Sequence, residues 1–288
     1  MLKRILPIVG PLYVLVLLGV LACYLFRWPI VAFDTDLWFH LSGGRYIFEH
    51  HSLPTDSYFS FLSPPRERID YFWLFQVLIY PLYSAFQYEG LIVFRSLIFL
   101  VTVLSIAGVL LTRKPAGEAS TGYRLVMLVL YTCVLLPRSL VVRPHILTYL
   151  FIVLTLYLFE YHPRRLGWLP LITWLWSNVH GVTYPVMLLI CGSYLLEYLV
   201  NRVRGNSVND TSAVPFLLFT GLAMGMVYCT PHGVKLIEFP FHAAGYASQY
   251  IAELEPITWQ RLFTVNLDVL KPSYGALFLL LFLCAMLA

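Results

Sequence analysis

Residues 6–26, LPIVGPLYVLVLLGVLACYLF, decide the class of this chain. The stretch carries no charge, and as an α-helix rising about 1.5 Å per residue it crosses the roughly 30 Å hydrocarbon core of a bilayer. The long apolar run and the lack of an A-x-A-like cleavage site exclude a cleaved signal peptide. The stretch therefore predicts a retained transmembrane helix near the start of the chain.

Apolar runs recur along the whole chain. They cover residues 91–111, 146–160, 182–200, 214–229 and 274–288, with shorter runs at 71–88, 125–137 and 168–176. Hydrophobic residues make up 59% of the chain and charged residues 12%, too few charges to cover a soluble domain. The sequence thus predicts an all-α fold, a polytopic transmembrane helical bundle. We expect residues 1–288 to form a single transmembrane domain that is truncated at its C-terminus, because the chain stops inside an apolar run.

Basic residues in short loops predict the orientation, since such loops stay on the cytoplasmic side. They occur at Lys3 and Arg4, in residues 113–124, at Arg164 and Arg165, and at Arg202 and Arg204. The segments between them then face outward, and the two long ones are a first outer loop at 27–70 and a second at 230–271. Loops of this length are usually functional, and we expect interfacial helices in the first. The net charge of +4 suits this orientation better than nucleic-acid binding.

The predicted orientation allows only one of two neighbouring apolar runs to cross the bilayer. Residues 71–88 and 91–111 cannot both cross the bilayer if Arg113 lies in the cytoplasm. The aromatic side chains of the first run, with Gln76 and Gln87, suit an interfacial or re-entrant helix. We therefore predict that only residues 91–111 cross. In the alternative, both cross and every later basic loop lies outside.

Two carboxylates follow the first apolar run, in Phe33-Asp34-Thr35-Asp36-Leu37-Trp38. A carboxylate at a membrane surface can take a proton from a hydroxyl or bind a divalent ion beside a phosphate. Asp34 and Asp36 are therefore the candidate catalytic residues. Two alternatives stay open: Asp34 caps the following helix, or Asp36 holds Mg²⁺ or Mn²⁺, although no complete ligand set is visible.

The motifs that follow carry a family resemblance. They are Gly43-Gly44-Arg45, Leu53-Pro54-Thr55-Asp56, Trp73-Leu74, Arg143-Pro144-His145, Trp176-Ser177-Asn178-Val179-His180-Gly181 and Thr230-Pro231-His232-Gly233. With the aspartates after the first helix, this pattern resembles the GT-C superfamily of polytopic membrane glycosyltransferases, especially its bacterial members. The resemblance covers most of the chain through short motifs. The chain is shorter than better-known members and lacks the further helices and soluble domain that many carry.

The resemblance implies that a sugar moves from a polyprenyl-phosphate donor to an acceptor hydroxyl, with inversion and with Asp34 or Asp36 as the base. It places this reaction on the outer side of a bacterial-type cytoplasmic membrane. The implied partners are the lipid-linked sugar donor, membrane lipids and an acceptor glycan, lipid or protein. No cofactor is required by the pattern, and a divalent cation is the one alternative.

A phosphate leaving group needs cations or hydrogen-bond donors. Arg143 is the first candidate, because Pro144 restricts its backbone at the mouth of two helices. Arg138 can equally snorkel to lipid headgroups. The other candidate substrate-binding residues are His40, Arg45, His145, Asn178, His180 and His232. Each histidine alone is also explained by packing, and Gly181 by a simple helix break.

Two other classes of function compete with a transferase. A lipid or solute transporter uses polar groups to line a pathway, with ionisable residues inside its spans or repeated halves with broken helices. The strong polar motifs of this chain stand instead at helix ends on one side. A non-catalytic scaffold protein is the third class, and the composition alone does not separate it from the others.

Overall fold

The computed structural model describes residues 2–30, 34–56, 68–112, 121–205, 213–247, 265–266 and 273–274. Within these ranges the chain is helical apart from one pair of two-residue strands, which confirms the predicted all-α class. Several predicted features lie wholly or partly outside them. These are the end of the first outer loop, most of the basic loop 113–124, most of the second outer loop and nearly all of the apolar run 274–288.

The helices alternate with short connections. They are α1 (Leu2–Arg27), α2 (Thr35–His50), α3 (Trp73–Thr112), α4 (Thr121–Ser139), α5 (His145–Tyr161), α6 (Leu169–Val179), α7 (Tyr184–Val203), α8 (Ala213–Gly225) and α9 (Val234–Ala247). Three short 3-10 helices cover Pro163–Trp168, Gly181–Thr183 and Met226–Tyr228. Strands β1 (Val265–Asn266) and β2 (Ser273–Tyr274) pair antiparallel.

Three helices in the described residues are long and apolar enough to cross a membrane. They cover Gly10–Arg27, Trp73–Leu111 and Gly181–Val203. Large apolar side chains on them remain exposed, such as Leu15 at 66% and Leu189 at 70%. Water disfavours such surfaces, whereas lipid tails match them. These helices indicate a membrane protein.

Helix α3 contains both apolar runs that the sequence separates at residues 71–88 and 91–111. Its backbone is not helical at Gln87, where φ is 51° and ψ is −140°, a conformation that side chains with a Cβ rarely adopt. As a helix, residues 73–86 extend only about 21 Å, less than the roughly 30 Å hydrocarbon core, whereas residues 88–112 are long enough. The non-helical residue thus lies near the end of the first run, before the second run begins, and the crossing of the second run alone stays a prediction.

The contacts divide the chain into two compact units. The first contains Met1–Leu37, Ala85–Ile146 and Glu255–Ala288, and the second contains Trp38–Ser84 and Leu147–Leu254. In the first unit α1 packs against α4, and Leu25 and Val103 are fully buried. In the second unit α8 packs against α6 and α7 around Leu169 and Cys191. The single domain expected over residues 1–288 stays a prediction.

Glycines allow α2 to approach the start of α3 closely in the second unit. A Cβ on Gly44 would lie 2.6 Å from the carbonyl oxygen of Gln76 and 2.5 Å from Cβ of Tyr80. A Cβ on Gly43 would overlap the Gln76 side chain. The motif Gly43-Gly44 is therefore required by backbone packing, because only glycine fits there.

Candidate functional site

Arg143 joins the two predicted carboxylates in the first unit. Its Nε and Nη2 donate to Oδ1 of Asp34 at 3.0 and 2.7 Å, and its Nη1 lies 2.8 Å from Oδ2 of Asp36. The planar fork of a guanidinium suits such contacts in several directions. The structure thus brings together three predicted site residues, Asp34, Asp36 and Arg143, which we call the carboxylate–arginine cluster.

Helix starts place the charged side chains of this cluster. The backbone carbonyl of Asp34 accepts a hydrogen bond from the Leu37 N–H at 3.2 Å where α2 begins. The carbonyl of Arg143 likewise accepts from the Ile146 N–H at 3.2 Å where α5 begins, directly after Pro144. The Asp34 carboxylate binds Arg143, and the helix cap that the sequence left open stays a prediction.

The two carboxylates differ in exposure. The Asp34 side chain is 2% exposed, whereas the Asp36 side chain is 50% exposed and that of Arg143 is 21% exposed. Two carboxylates share one guanidinium. Asp34 is placed to hold the arginine, and Asp36 is the carboxylate that remains half exposed.

Arg95 organises the backbone on both sides of the cluster. This fully buried side chain of α3 donates to the backbone carbonyls of Trp28, Pro29 and Leu140. Trp28 and Pro29 follow α1 on the way to the first carboxylate, and Leu140 follows α4 on the way to the arginine of the cluster. Arg95 therefore ties together the two chain segments that carry the cluster.

The sequence analysis did not identify Arg95, although a signal was present. The residue lies inside the apolar run 91–111, and an ionisable residue within a span usually faces protein and is often functional. The loop-charge rule does not use this signal, because it counts only basic residues between spans.

His145 has a structural partner in the first unit. It is the first residue of α5, and its Nε2 donates to the backbone carbonyl of Arg138 at 2.8 Å. The last carbonyls of a helix lack helical partners, so this bond completes the end of α4. His145 thus supports the segment that leads to Arg143.

The other predicted residues belong to the second unit, where their partners differ. The His40 ring is buried, with the rings of Phe72 and Phe75 edge-on at 4.9 and 5.1 Å. Arg45 is 66% exposed and pairs with Glu49 one turn away at 2.7 Å. His40 therefore has the environment of a packing histidine, and Arg45 that of a surface ion pair.

Asn178 is buried and bonded to three segments of the second unit. Its Oδ1 accepts from Nε1 of Trp73 at 2.9 Å, and its Nδ2 donates to the carbonyls of Trp174 at 2.8 Å and Cys229 at 3.3 Å. Buried polar groups are usually hydrogen-bonded, and both the oxygen and the nitrogen of this amide have partners. The amide therefore crosslinks the second unit.

His180 and Gly181 occupy the break between α6 and α7. Nδ1 of His180 and Oγ1 of Thr148 share a hydrogen bond of 2.7 Å. The Gly181 N–H donates to the Tyr71 carbonyl at 2.9 Å, and a Cβ there would lie 3.0 Å from Cδ1 of Leu236. The non-helical backbone of the break is at His180, with φ −144° and ψ 63°, whereas Gly181 begins a 3-10 turn and permits a close contact.

A buried carboxyl that the sequence analysis missed, Asp70, lies in the second unit. Its Oδ1 accepts from Nε2 of Gln76 at 2.9 Å and from the Phe72 N–H at 3.3 Å, and its Oδ2 lies 3.4 Å from Nη2 of Arg68. Burial raises the pKa of Asp70, although Arg68 and the two hydrogen bonds oppose the rise. Nε2 of His232 donates to the Asp70 backbone carbonyl at 3.1 Å, and burial lowers the pKa of His232.

The donor set around the two aspartates does not fit a divalent cation. In the described part of the chain, no group of three His, Cys, Asp or Glu side chains is placed to hold a metal ion. Asp34 and Asp36 both contact Arg143, whose positive charge opposes a cation at the same oxygens. We therefore derive no step through Mg²⁺ or Mn²⁺.

The chain was compared with protein-family models, with curated proteins and with solved structures. No family model, no curated protein and no solved structure matches it.

Proposed function

We propose that this chain is a multi-pass membrane glycosyltransferase of the GT-C type. It moves a sugar from a polyprenyl-phosphate donor to an acceptor hydroxyl, with inversion, at the outer face of a bacterial-type cytoplasmic membrane. The carboxylate–arginine cluster carries the proposal, because it places a base and a phosphate-binding cation in contact. The cluster follows an apolar helix that is long enough to cross the bilayer, so a lipid phosphate is within its reach.

Asp36 is the base in this proposal, because half of its side chain is exposed. The acceptor oxygen attacks the anomeric carbon, the bond from that carbon to the phosphate oxygen breaks, and its electrons go to the phosphate. The acceptor proton goes to the Asp36 carboxylate. A single displacement of this kind inverts the anomeric centre. Asp34, which is closer to the span in sequence, is buried and fixes Arg143 instead.

Arg143 stabilises the leaving phosphate. Charge-assisted hydrogen bonds between a guanidinium and phosphate oxygens are strong and directional. The Nη1 group of Arg143 contacts Asp36, the more exposed of the two carboxylates. A donor phosphate that takes this position releases Asp36 from its ion pair, and the base then becomes free only when the donor is bound.

The membrane arrangement in this proposal follows the loop-charge rule. The basic loops lie in the cytoplasm, and α2 is an interfacial helix of the first outer loop. Helix α2 mixes apolar and polar residues along its length, which suits an interfacial position.

A transporter is supported less well by the same residues. Arg95 is an ionisable group inside a candidate span, which is a position that a transport pathway uses. Its guanidinium donates to the carbonyls of Trp28, Pro29 and Leu140 at helix ends. Those bonds give Arg95 a role in holding backbone segments.

Sugar release from a decaprenyl-phosphate donor tests the proposal. The purified chain is reconstituted in proteoliposomes, with a cell-envelope extract as the source of acceptor, and radiolabelled hexose and pentose donors are supplied in turn. Asp36→Asn is expected to lower turnover by about 10²–10⁴-fold, because asparagine keeps the size but not the basicity. Arg143→Ala is expected to weaken the binding of decaprenyl phosphate by roughly tenfold or more.

Matched exposed residues serve as controls. Glu238→Gln and Arg164→Ala remove one charge each at exposed positions and are expected to leave turnover and donor binding unchanged. The wild type must be active and the variants folded. If Asp36→Asn and Asp34→Asn each keep near-normal turnover, neither carboxylate is the base and the proposed mechanism fails.

A further inference from the structure

The second unit contains a cavity of about 370 Å³ beside the start of α9. Its polar lining consists of Thr55, Arg68, His232 and Lys235, and the rest of its lining is apolar. The two cationic side chains come from different parts of the chain, one before α3 and one in the first turn of α9. The fold thus brings basic groups together around one space.

The charge around this cavity is positive. No carboxylate is among the described residues that line it. The carboxylate of Asp70, which contacts Arg68 at 3.4 Å, is 0% exposed and is not among the residues that line the cavity. The Arg68 guanidinium also lies 4.2 Å from the centre of the Phe39 ring. These two contacts hold the arginine in place, so its fork is organised before any ligand arrives.

The start of α9 adds to the positive potential. Val234, the first residue of this helix, lines the cavity together with Lys235. The helix dipole places partial positive charge at this end. The N–H groups of Lys235 and Leu236 already donate to the carbonyls of His232 and Gly233 at 3.1 and 3.3 Å. The adjacent His232 is fixed by its bond to the Asp70 carbonyl at 3.1 Å.

We propose that this cavity binds a phosphate ester group. An arginine fork, a lysine and a threonine hydroxyl are the groups that bind phosphate oxygens by charge and by hydrogen bonds. A volume of about 370 Å³ is at the small end of ligand pockets, which suits a phosphate with a sugar or glycerol attached. The phosphate belongs either to a soluble ester or to a glycerophospholipid headgroup. The site does not depend on the proposed transferase activity, since its residues belong to the second unit.

Direct binding to the full-length chain tests the site in two arms. In the first, glycerol 1-phosphate is titrated into protein in lipid-free dodecyl maltoside, and binding is followed by calorimetry. In the second, the chain is placed in nanodiscs of phosphatidylcholine and phosphatidylglycerol, and retained lipid is counted by native mass spectrometry. The variants are Lys235→Gln, at an exposed position, and Arg68→Gln, which keeps a hydrogen-bond donor for Asp70.

Each variant is expected to weaken binding by roughly tenfold or more, because it removes a charge-assisted contact. Arg164→Gln, an exposed control in the same unit, is expected to bind like the wild type. A response in the first arm identifies a soluble ester, and a response in the second arm alone identifies a lipid headgroup. The proposal is overturned if neither probe binds saturably, or if folded Lys235→Gln binds both probes as tightly as the wild type.

Discussion

Replacement of Arg95 by methionine tests the support of the carboxylate–arginine cluster. The change keeps an unbranched side chain of similar length in the apolar helix and removes every N–H donor of the guanidinium. The carbonyls of Trp28, Pro29 and Leu140 then lose their partner. We expect lower stability together with weaker binding of decaprenyl phosphate.

The magnitude follows from the burial of each bond. The bond to Leu140 is buried, and a buried carbonyl without a partner costs about 1–3 kcal/mol. The bonds to Trp28 and Pro29 are partly buried, so water can replace part of each and the loss is roughly 0.5–1 kcal/mol per bond. Because methionine also avoids the desolvation cost of a buried guanidinium, we expect a net loss of about 2–4 kcal/mol.

The assay is an equilibrium unfolding titration with sodium dodecyl sulfate in mixed micelles, followed by tryptophan fluorescence. Arg95→Lys is expected to lose less stability than Arg95→Met, since a lysine can still reach one carbonyl. Ser105→Ala is the control on the same helix, because its hydroxyl bonds only to the Val101 carbonyl one turn away and is exposed. An Arg95→Met variant as stable as Ser105→Ala, with unchanged binding of decaprenyl phosphate, would refute the role assigned to Arg95.

Three further measurements test orientation, packing and titration. In a cysteine-free background, Ser52→Cys is expected to react with a membrane-impermeant thiol reagent in intact cells and Arg204→Cys to stay unreactive; the reverse pattern contradicts the orientation. Gly44→Ala is expected to cost about 1–3 kcal/mol because its Cβ meets backbone at 2.6 Å, whereas Gly192→Ala, with nothing within 4 Å, is expected to be neutral or stabilising; equal unfolding midpoints contradict the close approach. Because burial raises the pKa of Asp70, folding stability is expected to be greatest below the unfolded pKa of about 3.9 and to fall as the pH rises through the raised value. Asp70→Asn removes this slope, and an unaltered pH profile of unfolding would show that another group causes it.

Residue patterns predicted the parts of the fold that depend on hydrophobicity along one segment. The apolar run 6–26 lies within α1, and the break at Gln87 lies near the end of the run 71–88. The spacing of Asp34 and Asp36 after the first span also predicted a carboxylate pair that the structure joins to Arg143. The apolar runs are local features of one segment. The pair Asp34 and Asp36 is conspicuous because two carboxylates rarely follow an apolar run so closely.

The parts that sequence reasoning missed depend on contacts between distant segments. Asp70 is buried because α3, Arg68 and the turn at His232 close around it, and His232 is 162 positions away along the chain. His40 and Asn178 lie in sequence motifs that predicted substrate binding. In the structure the His40 ring contacts other rings and the Asn178 amide bonds to neighbouring segments, as in residues that pack the interior. A pattern along one segment does not reveal which carbonyls or rings will meet a side chain.

The separation of Asp34 and Arg143 also affects how the protein is made. Their contact joins positions 109 apart, and at synthesis rates of 5–20 residues per second the arginine follows the aspartate by roughly 5–20 s. Throughout that interval the nascent chain already carries both carboxylates but lacks their cation. A message that is cut short before codon 143 therefore yields a chain whose two aspartates lack the cation that they share in the complete protein.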